Sequence, residues 1–329
     1  MPIWLAFIIL IVGLLLLVKG ADIFVEGASN VAHFLGISTL VIGLTVVAFG
    51  TSLPEAAVSI SSQIQNLDDV SLCNVVGSSI FNLLLILGIS ALIYPLVVKK
   101  DILKRDFPLS ILSIIVLILM LLFIPANSIK AITRVEGLLL FLSLIAYTVY
   151  IVRKSLKEVK QNNEINLDNG IEVELPITLT KQKAIIYTIL GLIGIVGGGI
   201  LVTNGAKEIA LYFEMSEWLV GLTIVSIGTS LPELITSIVA ALKKEVDIAV
   251  GNIVGSNFFN LLFVLGASSL IKPIKFNKDA LFDLIFLGAS TVIVLLLTLR
   301  KKKLDKLEGL ILLLMYFAYF TFIIIRELN

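Results

Sequence analysis

Two glutamates of this chain sit in nearly identical apolar settings: Glu55 closes the stretch GLTVVAFGTSLPE (43–55) and Glu233 closes GLTIVSIGTSLPE (221–233). Within a bilayer a carboxylate costs on the order of 2.5–3.5 kcal/mol, so each needs a partner or an aqueous cavity. Neither motif contains a Lys or Arg to supply one. The preceding prolines, Pro54 and Pro232, offer no N–H to a helix and crowd the carbonyls four residues earlier, at Gly50 and Gly228. Backbone oxygens released in this way become cation ligands where they line a polar cavity. The carbonyls of Thr51 and Thr229 are expected to turn inward, beside the hydroxyls of Ser52 and Ser230. Downstream, Asn74, Ser78 and Asn82 recur as Asn252, Ser256 and Asn260, at intervals of four that stack each triplet on one helical face. Such faces can line a path, or can join helices across the close approach that Gly77 and Gly255 permit.

The donor set is therefore carboxylates, freed carbonyls, hydroxyls and amide oxygens, with no His or Cys in the duplicated set except Cys73. It suits a hard cation. Calcium takes roughly six to eight oxygens at about 2.3–2.6 Å, whereas zinc or copper favours nitrogen or sulfur. Sodium can use the same hydroxyls and carbonyls with fewer charges. A pocket that holds one doubly charged ion or several singly charged ones, but not both loads, couples two fluxes by electrostatic exclusion, which is the physical basis of antiport.

The elements that must position these residues follow from composition. Of 329 residues, 58% are hydrophobic and 15% charged, against about 45–50% and about 25% in soluble domains. This is a membrane protein. A net charge of +1 leaves no basic excess for nucleic acid, and a single cysteine excludes an intrachain disulfide. Hydropathy predicts an all-α polytopic chain of ten transmembrane helices, near 1–18, 38–62, 70–96, 107–125, 131–152, 183–203, 217–242, 248–270, 280–299 and 307–325. Basic residues resist translocation. With the N-terminus outside, loops on the inside hold 18 of the 25 Lys and Arg, including Lys99, Lys100, Lys104, Lys243, Lys244 and Arg300 to Lys303. Both termini are thus expected outside the cytoplasm, in a multi-pass protein of a prokaryotic plasma membrane.

At an offset of 178 the chain matches itself without a gap: across 43–88, 23 of 46 residues are identical, polar positions included. The chain is a duplication. Five predicted spans per copy is an odd number, so the second copy starts from the opposite side of the bilayer and the repeats are inverted, as expected of an alternating-access transporter. The first repeat is read as 1–152 and the second as 183–329, joined by a polar cytoplasmic linker over 153–182.

The two GTSLPE copies, with their N-x-x-G-S-x-x-x-N partners, resemble the alpha repeats of the sodium/calcium exchanger family within the cation/calcium antiporter superfamily, here as a prokaryotic-type core without a regulatory domain. The resemblance implies ten helices in inverted five-helix repeats and exchange of sodium for calcium. It matches Glu55, Glu233 and the Thr51 and Thr229 carbonyls to central calcium ligands, and Ser52, Ser78, Ser230, Ser256 and the carbonyls of Ala48 and Ser226 to sodium ligands. Asn82 and Asn260 match the remaining central pair; some family members carry Asp at one of them, whereas both are neutral here.

Competing functions are a calcium/proton antiporter, since facing carboxylates raise one another's proton affinity, and a passive cation channel. No motif supplies a nucleophile with a base, so an enzyme is not expected, nor is a cofactor; the ligands are calcium and sodium, and the surroundings are lipid with no obligatory protein partner. Asp69 and Asp247 suit helix N-termini, with a cation-attracting vestibule as the alternative. Ser38 and Ser216 suit N-caps, and Cys73 a buried helix contact. Arg300–Lys303 reads as a topology anchor at the headgroups. The first and sixth spans are expected to slide over a rigid core of the second, third, seventh and eighth, on faces marked by Gly13, Gly20, Gly27, Gly191, Gly194 and Gly197–Gly199.

Overall fold

The computed structural model describes residues 2–65, 67–123, 131–168, 178–214, 226–275 and 278–328. Its helices are α1 (Ile3–Leu35), α2 (Thr39–Thr51), α3 (Leu53–Ile64), α4 (Val70–Ile93), α5 (Phe107–Phe123), α6 (Arg134–Asp168), α7 (Lys181–Tyr212), α8 (Ser226–Thr229), α9 (Leu231–Leu242), α10 (Val246–Ile271), α11 (Lys278–Lys301) and α12 (Lys306–Leu328). Among the described residues seven helices are long and apolar enough to cross a membrane, and eight if α2 and α3, which meet at a 46° bend, form one span. The other two expected spans coincide with the shorter helices α5 and α9. Residues 124–125 of the fourth expected span, 217–225 of the seventh, and Ser216 lie outside the described residues. The protein is an integral, multi-pass membrane protein. Its outward faces carry large apolar side chains such as Leu15, Ile193 and Leu314, while α4 and α10 are the most enclosed long helices.

Local chemistry sets the helix boundaries. Ser38 starts α2 by accepting the Val41 N–H at 3.4 Å, as an N-cap serine should. Pro54 and Pro232 occupy first-turn positions of α3 and α9, where a missing N–H is harmless, so the chain breaks at Ser52 and Ser230. Among the described residues four segments are π-helical: Gly43–Val47 in α2, Phe81–Ile86 in α4, Ile102–Asp106 just before α5, and Phe259–Val264 in α10, with those in α4 and α10 at equivalent positions of the repeat.

α1 runs well beyond the apolar stretch that ends at Val18, as far as Gly36, whose φ of 63° terminates it. α6 likewise continues through Asp168, into the segment expected as linker, of which 169–177 lie outside the described residues. Cys73 is exposed rather than buried, because on α4 it lies off the face carrying Asn74, Ser78 and Asn82. Asp247 sits in the first turn of α10, where it accepts a hydrogen bond from Thr39 at 3.0 Å and pairs with Lys99; the side chain of Asp69 lies outside what is described.

The glycine faces of α1 and α7 meet one another. A Cβ added at Gly13, Gly20 or Gly27 would lie 2.7, 2.7 or 2.5 Å from the backbone nitrogens of Val202, Ile195 and Thr188. Partner numbers fall as α1 ascends, so the two helices are antiparallel. The expectation that these faces glide over the core is corrected accordingly: most of the glycines clamp α1 and α7 together, and only Gly199 turns to Pro232 of α9. Two short antiparallel pairs tie loops between distant parts of the chain. β1 (Leu96–Val97) pairs with β4 (Lys303–Leu304), and β2 (Ala131–Ile132) with β3 (Ile274–Lys275).

Candidate functional site

The two breaks face each other's glutamate. Ser52 Oγ donates to Glu233 Oε1 at 2.7 Å, and Ser230 Oγ donates to Glu55 Oε1 at 2.8 Å. Both carboxylates are fully buried, and among the described residues they join no cluster of three or more His, Cys, Asp or Glu. Each glutamate is therefore held by a serine 175 or more residues away, from the other copy of the motif. Their second oxygens, Glu55 Oε2 and Glu233 Oε2, are buried without a hydrogen-bond partner among the described residues.

The remaining candidates are carried by the segments at the two breaks and by the two most enclosed helices. Ala48 and Thr51 end α2, Ser226 and Thr229 bound α8, and Ser78, Asn82, Ser256 and Asn260 project from α4 and α10. All except Ser226, whose side chain lies outside what is described, are buried. Asn82 and Asn260 stand in the two equivalent π-helical segments, and among the described residues both amide atoms of each, with Ser256 Oγ, have no partner. A π-turn inserts an extra residue into the helical ladder and recurs at functional sites. Leaving a buried polar atom unpaired costs about 1–3 kcal/mol, so the repeated orphan atoms mark polar capacity held inside both copies of the repeat. Ser78 differs from its counterpart Ser256, its hydroxyl donating to the Asn74 carbonyl at 2.6 Å.

Two residues that the sequence places on a path-lining face act as struts. Asn252 Nδ2 donates to Ser237 Oγ at 2.9 Å and to the Glu233 carbonyl at 3.4 Å, while its Oδ1 accepts from Thr51 Oγ1 at 3.1 Å. Asn74 Nδ2 makes the equivalent bonds to Ser59 Oγ and the Glu55 carbonyl, at 2.9 and 3.2 Å. Asn252 thus braces the start of α9 against the end of α2. Asn252→Ala is expected to destabilise the protein by about 2–4 kcal/mol, because it strips several buried groups of their partners at once. Thermal unfolding in detergent measures this, and an unchanged melting profile would return Asn252 to a lining role.

A bundle of apolar helices, two of them broken beside buried carboxylates and unpartnered oxygens, defines the class as a membrane ion transporter. Over residues 5–153 and 183–325 the chain matches the family described as sodium/calcium exchanger protein. It is 40% identical over 318 residues to the putative antiporter CaxA of Alkalimonas amylolytica, covering 95% of this chain and 97% of the relative. It is 32% identical over 343 residues to the sodium/calcium exchanger MaX1 of Methanosarcina acetivorans, with coverage of 95% and 97%. Among solved structures, the sodium-calcium exchanger NCX_Mj soaked with 2.5 mM Na+ and 0.1 mM Sr2+ superposes with a TM-score of 0.82 at 29% identity, covering 97% of this chain and 99% of that one. The chain belongs to the sodium/calcium exchanger protein family.

Proposed function

We propose that this protein exchanges sodium for calcium across a membrane by alternating access, with Glu55 and Glu233 as the charged ligands of a shared central site. The observation that carries this reading is that each glutamate gives one oxygen to a serine of the other half and, among the described residues, keeps the other oxygen unpartnered. Two carboxylates neutralise one calcium ion, and desolvation of a second load alongside it is prohibitive. The carbonyls of Thr51 and Thr229 and the amide oxygens of Asn82 and Asn260 complete the calcium shell. Ser52, Ser78, Ser230 and Ser256, with the Ala48 and Ser226 carbonyls, serve sodium.

The ten-span reading, with inverted halves 1–152 and 183–329 joined by 153–182, draws support from α1 and α7. These helices occupy the same place in the two copies, yet run antiparallel. Loop pairing supports the orientation: β1 and β4 join two loops expected inside, while β2 and β3 join two expected outside. Both termini are therefore assigned outside the cytoplasm of a prokaryotic plasma membrane, with lipid and the transported ions as partners. α7 touches both breaks, Leu192 against Gly50 and Thr203 against Gly228. Movement of the α1–α7 pair as one body would open the site to alternate sides.

Uptake of radiolabelled calcium into proteoliposomes, with the internal cation varied among sodium, potassium and protons, tests the reading. Uptake is expected with internal sodium and not with a pH gradient in sodium-free buffer. Proton-driven uptake at an equal or greater rate would assign calcium/proton antiport, and unitary currents without counter-transport would assign a channel.

A further inference from the structure

The β1–β4 pair brings two basic segments to one place. Val97 lies opposite Lys303, and the Val98 N–H donates to the Lys302 carbonyl at 2.9 Å. The π-helical segment Ile102–Asp106, which carries Lys104, packs on α11, whose last residues are Arg300 and Lys301. Some of these cations are already used: Lys99 pairs with Asp247, and Lys301 and Lys303 pair with Asp305. Lys100, Lys104, Lys302 and Lys306 are exposed, and among the described residues none of them has an ion-pair partner.

Helix-dipole stabilisation accounts for Arg300 and Lys301 in the last turn of α11, and topology accounts for basic residues on this side. Topology counts charge on this side without fixing the position that Lys302 takes. Its φ of 54° is a left-handed conformation that usually selects glycine after a helix, so the side chain is kept against a backbone preference. Beside these cations Val97 and Leu307 are each 61% exposed. Unpaired positive charge bordering exposed apolar side chains at a span end matches the boundary between headgroups and acyl chains.

We propose that this surface binds an anionic glycerophospholipid. Lys100 and Lys104, before α5, and Lys302 and Lys306, between α11 and the first turn of α12, hold the phosphate, while the acyl chains lie along Val97 and Leu307. The proposal is independent of which ions are exchanged, because the site lies on the loops and not at the glutamates.

Native mass spectrometry of the detergent-solubilised full chain, titrated with phosphatidylglycerol or phosphatidylcholine, tests it without any transport assay. Phosphatidylglycerol is expected to stay bound, and K100Q/K104Q/K302Q/K306Q to lose it at least fivefold. A control variant, R153Q/K157Q/K160Q, alters an equally exposed basic stretch of α6 and should retain it. If the fourfold variant does not fold, the single changes K302Q and K306Q provide the same readout, each with a partial loss. Retention by the Gln variants, an equal loss in the control, equal binding of phosphatidylcholine, or full displacement by millimolar glycerol phosphate would each overturn the proposal, the last by assigning a soluble anion site.

Discussion

Glu55→Gln and Glu233→Gln will each abolish sodium-driven calcium uptake in reconstituted vesicles while leaving the protein folded. Glutamine keeps the shape of the side chain, and its carbonyl oxygen can still accept the bond from Ser230 or Ser52 that holds each carboxylate now. What disappears is one negative charge at a fully buried position. Removing one member of a buried charge interaction costs about 3–5 kcal/mol. At about 1.4 kcal/mol per tenfold change, this is more than two orders of magnitude in calcium affinity. Because both carboxylates act on one ion, the double variant should be no worse than either single one. The measurement is initial calcium uptake under an outward sodium gradient, with size-exclusion profiles to establish folding. Full activity in either single variant would remove that glutamate from the site and with it the shared-ion reading.

Much of this site is legible in the sequence because duplication writes it twice. The offset of 178 pairs Glu55 with Glu233 and Ser52 with Ser230, and proline chemistry places the breaks where they occur. The crossed hydrogen bonds are not legible: a repeat shows which residues correspond, but not that Ser52 reaches the other copy's glutamate instead of its own. The strut role of Asn252 is hidden for the same reason, since a face of Asn and Ser looks alike whether it meets ions or neighbouring helices. The π-helical turns under Asn82 and Asn260 leave no composition signal, because Leu, Ile and Phe are compatible with either ladder. The bent helix pair was foreseen in its cause, but the length of α1 was not. Its polar second half, from Lys19 to Leu35, carries no apolar run by which a membrane segment is recognised.

Gly20→Leu and Gly198→Leu are each expected to eliminate correctly folded protein, whereas Gly197→Ala should be nearly silent. The offset that relates the glutamates also relates Gly13, Gly20 and Gly27 to Gly191, Gly198 and Gly205. Within each helix these glycines recur every seven residues, two turns apart, so they form one stripe. The stripes face one another across the antiparallel contact of α1 and α7. A Cβ at Gly20 would lie 2.7 Å from the Ile195 nitrogen, and one at Gly198 would lie 2.6 Å from the Leu17 nitrogen. Backbone cannot rotate aside as a side chain can, so the helices must separate along their length and forfeit the close packing that holds membrane helices together. Overpacking a tight contact typically costs about 1–3 kcal/mol, and leucine at a backbone-to-backbone approach stands at or beyond the upper end. At Gly197, by contrast, an added Cβ meets nothing within 4 Å. Fluorescence-detected size exclusion and melting in detergent provide the comparison. A monodisperse Gly20→Leu protein with the parental melting temperature would show that α1 and α7 are not clamped, and would free each to move over the site alone.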